Sequence, residues 1–98
     1  MILSIKEFQQ LMAQIYFQRD LDRGAERTFM WLVEEVGELS DSMLTGDRKQ
    51  IEDEICDVFA WLVSLCNVLN VDLENVASRK YTTVCPRCLN SPCKCPSR

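Results

Sequence analysis

Four acidic residues stand at matched distances on the two sides of one glycine. Glu38 lies eight residues before Gly46 and Glu54 lies eight residues after it, whereas Glu35 and Asp57 lie eleven before and eleven after. The two acids of each segment are three residues apart, which places both on one face of a helix. If the segments form antiparallel helices joined at the glycine, the four carboxylates are level and converge on one volume.

This acidic group is suited to binding a divalent cation. The sequence has no histidine, which excludes Ser-His-Asp and Cys-His catalysis and the histidine-based zinc and di-iron sites. Carboxylate oxygens favour Mg²⁺, Mn²⁺ or Ca²⁺. Glu54 falls within the apolar arc of its helix, where desolvation and mutual repulsion raise carboxyl pKa values unless a cation binds. We therefore expect one or two Mg²⁺ ions, with Mn²⁺ as a substitute; the alternative is an ordinary solvated acidic surface.

Four cysteines near the C-terminus form a second group with metal-ligand spacing. The pattern is C-x2-C-x4-C-x-C and consists of Cys85, Cys88, Cys93 and Cys95. Four thiolates suit tetrahedral Zn²⁺, and C-P-x-C is a common start of a zinc knuckle, although the C-x-C half is tighter than usual. We predict a structural zinc site without an open position; two disulfides or a disordered tail are the alternatives. Cys56 and Cys66 are expected to be inert residues of the helix core.

Helices must position the acidic group, and the sequence predicts four of them. The expected ranges are residues 4–18, 25–44, 48–69 and 73–81. Residues 19–24 are expected to form a polar connection. The expected caps are a capping box at Ser4, N-caps at Asp47 and Asp72, and C-terminal stops at Gly46 and Asn70.

These elements predict an all-α protein, an antiparallel bundle of about four helices completed by homodimerisation or tetramerisation. The third helix is apolar on nearly every side between residues 55 and 69, and such a helix is covered on more than one side. We expect this helix at the subunit interface; the alternative is a monomer in which the first and fourth helices cover it. The helical domain is expected to span residues 1–81, and the cysteine tail residues 82–98.

Composition and charge exclude several classes of function. No apolar run reaches the roughly 18 to 20 residues of a membrane span, and the N-terminus does not resemble a signal peptide, so we expect a cytoplasmic protein without a membrane partner. The net charge is −4, and residues 84–98 carry three cations and no acid. The remainder is therefore more acidic still, which disfavours nucleic-acid binding.

The acidic motifs resemble those of the MazG family of all-α nucleotide pyrophosphohydrolases. The resemblance covers about residues 4–81 and rests on three segments, WLVEEVGELSDSM, GDRKQIEDEICDVFAWLVSL and VDLENVASRKY. It implies Mg²⁺-dependent cleavage of nucleoside triphosphates between the α- and β-phosphates, giving a nucleoside monophosphate and pyrophosphate, for the removal of non-standard or excess nucleotides. It also implies that Mg²⁺ is bound by Glu35, Glu38, Glu54 and Asp57.

The resemblance further implies residues that act on water and substrate. Glu34 would orient the water or support the metal ligands, and Glu38 is the other catalytic candidate. Arg79 and Lys80 match the basic position of the family and would bind phosphates; the alternative for Arg79 is a cation that only opposes the helix dipole. Apart from the resemblance, Trp31 is a candidate to stack on a base, and the alternative is an aromatic residue of the helix core. The sequence does not select the base. The alternatives are a non-catalytic helical module that senses nucleotide or metal, and a structural helical dimer.

Overall fold

The chain folds into four α-helices, as a computed structural model describes for residues 2–97. They are α1 (Ile5–Arg23), α2 (Ala25–Thr45), α3 (Arg48–Leu69) and α4 (Leu73–Lys80). No strand occurs among the described residues. The all-α prediction is therefore confirmed.

The predicted helix caps are present. The Ser4 hydroxyl accepts from the Glu7 amide at 3.1 Å, and the Glu7 carboxylate accepts from the Ser4 amide at 2.9 Å, which forms the capping box. Asp47 and Asp72 cap α3 and α4 through their side chains. The helices α2 and α3 end at residues with left-handed backbone, Gly46 (φ 71°) and Asn70 (φ 57°).

The end of α1 differs from the prediction. Residues 19–23 continue the helix instead of forming a polar connection, and Gly24 alone separates α1 from α2. Polarity does not end a helix, and this segment contains no Gly or Pro before Gly24. The Arg23 guanidinium also donates to Asp20 Oδ1 at 2.8 Å across one helical turn, which supports the helical conformation.

Helix α3 is the centre of the fold, packing against α2 on one side and α1 on the other, while α4 docks on α1. Gln9 of α1 fixes the turn between α3 and α4: its amide donates to Asn67 Oδ1 at 3.0 Å and to the Val71 carbonyl at 2.7 Å, and its oxygen accepts from the Leu73 amide at 3.1 Å. Among the described residues the buried apolar side chains are few, namely Met12, Val63 and Cys66, and of these only Val63 is fully buried.

More of the uncovered apolar side chains lie on α1 and α2 than on α3, the helix that was expected at the interface. Helices α1 and α2 of the same chain cover α3. On α2, Phe29, Val33, Val36 and Met43 are each about half exposed, at 49 to 61%. Their spacing of four, three and seven residues places them along one side of the helix. We call these four residues the α2 stripe.

Among the described residues, no single helix is both long and apolar enough to cross a membrane. Helices α3 and α4 would be long and apolar enough only if taken together, but they meet at a bend of 100°.

Candidate active site

The α2–α3 hairpin brings three of the four predicted carboxylates together. Glu35 of α2 and Glu54 and Asp57 of α3 each have a carboxylate oxygen within 4.8 Å of the other two. The three-residue spacing on α3 and the turn at Gly46 produce this arrangement, as the sequence predicts. We call these three residues the carboxylate cluster.

Burial and mutual repulsion perturb two members of the carboxylate cluster. Both Glu35 and Glu54 are partly buried. Desolvation is the main cause that raises the pKa of the Glu35 carboxyl, and the nearby charge of Asp57 adds to it. Desolvation likewise raises the pKa of Glu54, and Asp57 and Glu38 add to it. Oxygen donors that repel each other at this distance form a site that a divalent cation would stabilise.

The other two predicted acids lie at the edge of the cluster. Glu38 is exposed and does not belong to the group within 4.8 Å, yet its charge raises the pKa values of both Glu35 and Glu54. Glu34 is also exposed, and its charge raises the pKa of Glu35. The expected level set of four is therefore a close group of three, with Glu38 beside it and Glu34, which was not one of the four, also nearby.

A cavity of about 340 Å³ opens beside Asp57, between α1 and α3. This volume lies within the range of small-molecule pockets. Arg19, Asp20 and Arg23 of α1 line it together with Asp57 and Trp61 of α3, and the wall is completed by Met12, Tyr16, Ala60 and Ser64. The α1 residues of this wall were not predicted from the sequence, because residues 19–24 were expected to form a polar connection. Continuing the helical period of α1 by one turn would have found them.

The most unusual group in the cavity wall is the carboxylate of Asp20. Its side chain is only 3% exposed. One oxygen accepts from Arg23, but Oδ2 is buried and has no hydrogen-bond partner among the described residues. Arg23 itself is held in place, because its guanidinium lies 4.8 Å from the centre of the Trp61 ring and 3.3 Å from the Thr28 hydroxyl.

Trp31 was predicted to stack on a base, but in the structure it stacks on another tryptophan. Its ring lies 6.0 Å from that of Trp61 with an angle of 18° between the planes. Trp31 is 47% exposed and does not line the cavity, whereas Trp61 does. Trp61 is thus the tryptophan that lines the cavity together with Asp57.

Arg79 and Lys80 are exposed at the end of α4 and do not line the cavity beside Asp57. The Lys80 ammonium lies 5.6 Å from the centre of the Tyr81 ring. Lys80 and Tyr81 instead border a second cavity together with the cysteine tail. The cations at the carboxylate cavity within one chain are therefore Arg19 and Arg23.

The cysteines divide into a clustered and a separate set. The four Sγ atoms of the tail cysteines lie within 4.8 Å of one another. Amide hydrogen bonds lower the pKa of Cys88 to about 6 and lower that of Cys85, whereas the neighbouring thiols raise that of Cys95 to about 12. Burial raises the pKa of Cys66, as expected for an inert core thiol. Cys56 was expected in the core but is exposed on α3.

Comparison with known protein families gives a match that includes the acidic α2–α3 hairpin. The sequence pattern of the MazG nucleotide pyrophosphohydrolase domain matches residues 23–89, more than half of the chain. The match begins in the last turn of α1, includes the whole α2–α3 hairpin and ends inside the cysteine tail. No curated protein gives a match. The carboxylate cluster thus lies within the matched region, and the chain belongs to the MazG nucleotide pyrophosphohydrolase family.

Proposed function

We propose that the chain hydrolyses nucleoside triphosphates between the α- and β-phosphates, giving a nucleoside monophosphate and pyrophosphate, with Mg²⁺ as its cofactor and Mn²⁺ as a substitute. The observation that carries this proposal is the convergence of Glu35, Glu54 and Asp57 within 4.8 Å beside a cavity of about 340 Å³. Family membership supports it. The removal of non-standard or excess nucleotides is the biological role that fits.

The residues of the cluster fit a magnesium ion. They offer oxygen donors only, and desolvation together with the neighbouring carboxylate charges raises the pKa values of Glu35 and Glu54, which a divalent cation would offset. Glu35, Glu54 and Asp57 would hold the ion, with Glu38 as a further ligand at the edge. A bound Mg²⁺ neutralises phosphate charge and lowers the pKa of water.

The remaining carboxylates would handle the proton of the attacking water. In hydrolysis the hydroxyl of water adds to phosphorus, the bridging P–O bond breaks, and one proton must leave. Glu38 and Glu34 are the candidates to orient the water and to accept this proton, because both lie beside the cluster and neither belongs to the group of three.

The cavity between α1 and α3 would hold the nucleoside. The Trp61 ring offers an aromatic face, and the unpaired Asp20 Oδ2 offers an acceptor for an amino or imino group of a base or for a ribose hydroxyl. Arg19 and Arg23 would contact phosphate oxygens. Arg79 and Lys80 remain proposed phosphate ligands, and Trp31 would extend the aromatic surface behind Trp61.

The test is pyrophosphate release from a panel of NTPs and dNTPs with Mg²⁺. We expect turnover of at least one substrate, and a loss on the order of 100-fold or more for Asp57→Ala and Glu38→Ala. Glu52→Gln is the matched control, because Glu52 is an exposed acid of α3 paired with Arg48 away from the cluster. Monophosphate and pyrophosphate must appear in equal amounts. Inorganic phosphate as the sole product would contradict the proposed cleavage position.

The rival function is a non-catalytic module that binds nucleotide or metal as a sensor. The unpaired Asp20 Oδ2 would serve nucleotide binding without catalysis equally well. Saturable nucleotide binding without product release from any member of the panel would favour the sensor. If the chain binds neither nucleotide nor Mg²⁺, the remaining interpretation is that it is a structural helical assembly.

We further propose a homodimer, or a tetramer made of two dimers, whose interface includes the α2 stripe. The small number of buried apolar side chains among the described residues and the exposure of the stripe support association. The cytoplasm is the proposed location, since nucleoside triphosphates occur there. Nucleic acid is not a proposed partner because the helical part of the chain is acidic.

A further inference from the structure

The cysteine tail forms a closed cluster of sulfur atoms that the proposed hydrolysis does not use. The cluster consists of Cys85, Cys88, Cys93 and Cys95, whose Sγ atoms all lie within 4.8 Å of one another. The family match ends at residue 89, so it includes only the first two of these cysteines. No member of the tail cluster lines the cavity beside Asp57.

The spacing of the sulfur atoms is that of ligands around a tetrahedral ion. Cys85 Sγ lies 3.8 Å from Cys95 Sγ, and Cys88 Sγ lies 3.8 Å from Cys93 Sγ. A Zn–S bond of about 2.3 Å in tetrahedral geometry places neighbouring sulfurs about 3.8 Å apart. A disulfide bond would require about 2.05 Å, and all four thiols are free. The observed pairs match the edges of a metal–thiolate tetrahedron.

The backbone of the tail is arranged around the sulfur atoms. The Arg87 amide donates to Cys85 Sγ at 3.4 Å, the Lys94 amide to Cys88 Sγ at 3.3 Å, and the Cys95 amide to Cys93 Sγ at 3.3 Å. Hydrogen bonds that end on sulfur stabilise the thiolate form, which is the form that binds metal. The Arg87 and Cys95 amides therefore donate within their own half of the motif, whereas the Lys94 amide of the second half donates to Cys88 of the first half.

A further hydrogen-bonded turn closes the first half of the motif. The Leu89 amide donates to the Cys85 carbonyl at 2.8 Å, and the Cys85 amide donates to the Asn90 carbonyl at 2.9 Å. Leu89 adopts a positive φ of 61°, a conformation that is unfavourable for a residue with a side chain. A strained residue persists only where its surroundings fix it, and a metal held by Cys85 and Cys88 would do so.

The tail has no hydrophobic core that could fix this conformation. Residues 82–97 contain neither helix nor strand, and the Leu89 side chain is 70% exposed. Short segments that cannot bury apolar surface depend on disulfides or metal ions to remain ordered. With the thiols free, a metal ion is the remaining source of order.

We propose that the tail is a structural tetrathiolate site for one Zn²⁺ ion, held by Cys85, Cys88, Cys93 and Cys95 and separate from the carboxylate cluster. Binding displaces the remaining thiol protons to solvent and leaves four Zn–S bonds. Four protein ligands leave no coordination position for water or substrate, so the ion stabilises the tail and takes no part in catalysis.

The first test is metal analysis of the full chain purified under reducing conditions without chelator. We expect about one zinc per chain. Replacement by Co²⁺ should give the visible absorption of tetrahedral thiolate coordination rather than the weak bands of an octahedral oxygen site. Absence of zinc together with failure to bind added Zn²⁺ would overturn the proposal, and so would iron in its place or a mass that shows two disulfides.

Single substitutions test which residues bind the Zn²⁺ ion. Cys85→Ser and Cys95→Ser should each lower the zinc content to well below half an equivalent, whereas Cys56→Ser, which removes an exposed thiol outside the tail, should retain it. Helix content measured by circular dichroism checks that the helical domain remains folded. Glu54→Gln should also retain zinc, and loss of zinc in this variant would place the ion at the carboxylates and overturn the assignment.

Discussion

Asp20 combines two properties that are difficult to reconcile in a chain without ligand. Its carboxylate is almost entirely buried, yet only one of its oxygens has a partner. Leaving a buried polar group unpaired costs about 1 to 3 kcal/mol, and more when the group is charged. Because the same side chain lines the cavity beside Asp57, we propose that a hydrogen-bond donor of the substrate becomes the partner of Oδ2.

Asp20→Asn tests this role. The substitution replaces an acceptor by an amide that can turn its NH₂ group toward the cavity, so a substrate donor would meet another donor. We expect kcat/KM for the preferred substrate to fall roughly 10- to 100-fold, since a hydrogen bond to a charged group contributes about 1.5 to 3 kcal/mol. Asp22→Asn is the control, because Asp22 is exposed on the same helix and accepts from Gln18. Equal effects of both substitutions would contradict the assignment.

The raised pKa values of Glu35 and Glu54 have a consequence for stability. A carboxyl group whose pKa is higher in the folded than in the unfolded chain binds its proton more tightly when folded. The stability that this tighter proton binding gives to the fold is present below the ordinary carboxyl pKa of 4.5. It is lost as the pH rises through the raised pKa that the carboxyl group has in the folded chain. Without metal, the cluster therefore destabilises the fold at neutral pH.

Thermal unfolding in EDTA and in Mg²⁺ measures this effect. In EDTA at pH 7 we expect Glu54→Gln to have a higher Tm than the wild type, and the difference should shrink as the pH falls toward 4.5. Added Mg²⁺ should raise the Tm of the wild type and leave that of the variant nearly unchanged, because only the intact cluster binds the ion. If both proteins respond equally to Mg²⁺, the cluster is not the metal site.

At the scale of the helices, the hairpin was predictable because local signals determine it. Asp47 and Gly46 define the turn, and the three-residue spacing of the acids defines their common face, so Glu35, Glu54 and Asp57 could be placed together from the sequence. The cavity was not predictable. Its α1 wall depends on where α1 ends and on how α1 packs against α3, and both are set by tertiary contacts such as that of Arg23 with Trp61.

Gly24 makes the sharp change of direction between α1 and α2 possible. Its backbone angles, φ 87° and ψ 166°, lie in a region that is accessible almost only to glycine. We expect Gly24→Ala to lower the free energy of unfolding by about 1 to 3 kcal/mol through backbone strain, since no atom lies within 4 Å of the added Cβ. Chemical denaturation measures the change.

Gly37→Ala is the matched control for this prediction. Gly37 lies in the interior of α2 without positive φ, and its added Cβ also meets no atom within 4 Å. The same substitution should therefore stabilise the chain by about 0.5 to 1 kcal/mol. Stabilisation by both alanines would show that the α1–α2 junction does not require the glycine conformation seen here.

At the scale of the whole molecule, the α2 stripe and the carboxylate cluster occupy different sides of the same helix. Glu35 points toward α3, and the stripe residues Val33 and Val36 that flank it in sequence are exposed. Helix α2 can therefore supply the Glu35 carboxylate to the cluster of its own chain while packing against a second copy in the proposed assembly. Association through α2 would also hold Glu35 more rigidly, which links the proposed assembly to the proposed activity.

Phe29→Glu tests the assembly, with Met30→Glu as its neighbour control. Both side chains are more than half exposed, but Phe29 belongs to the α2 stripe, and Met30 points about 100° away from it. In a two-fold symmetric dimer each substitution occurs twice in the interface, and an unpaired charge buried there is strongly unfavourable. Sedimentation should show the Phe29→Glu chain as a monomer at concentrations where the wild type and Met30→Glu are dimeric. A wild type that stays monomeric at every concentration would refute the dimer, and dissociation by Met30→Glu alone would move the interface to another side of α2.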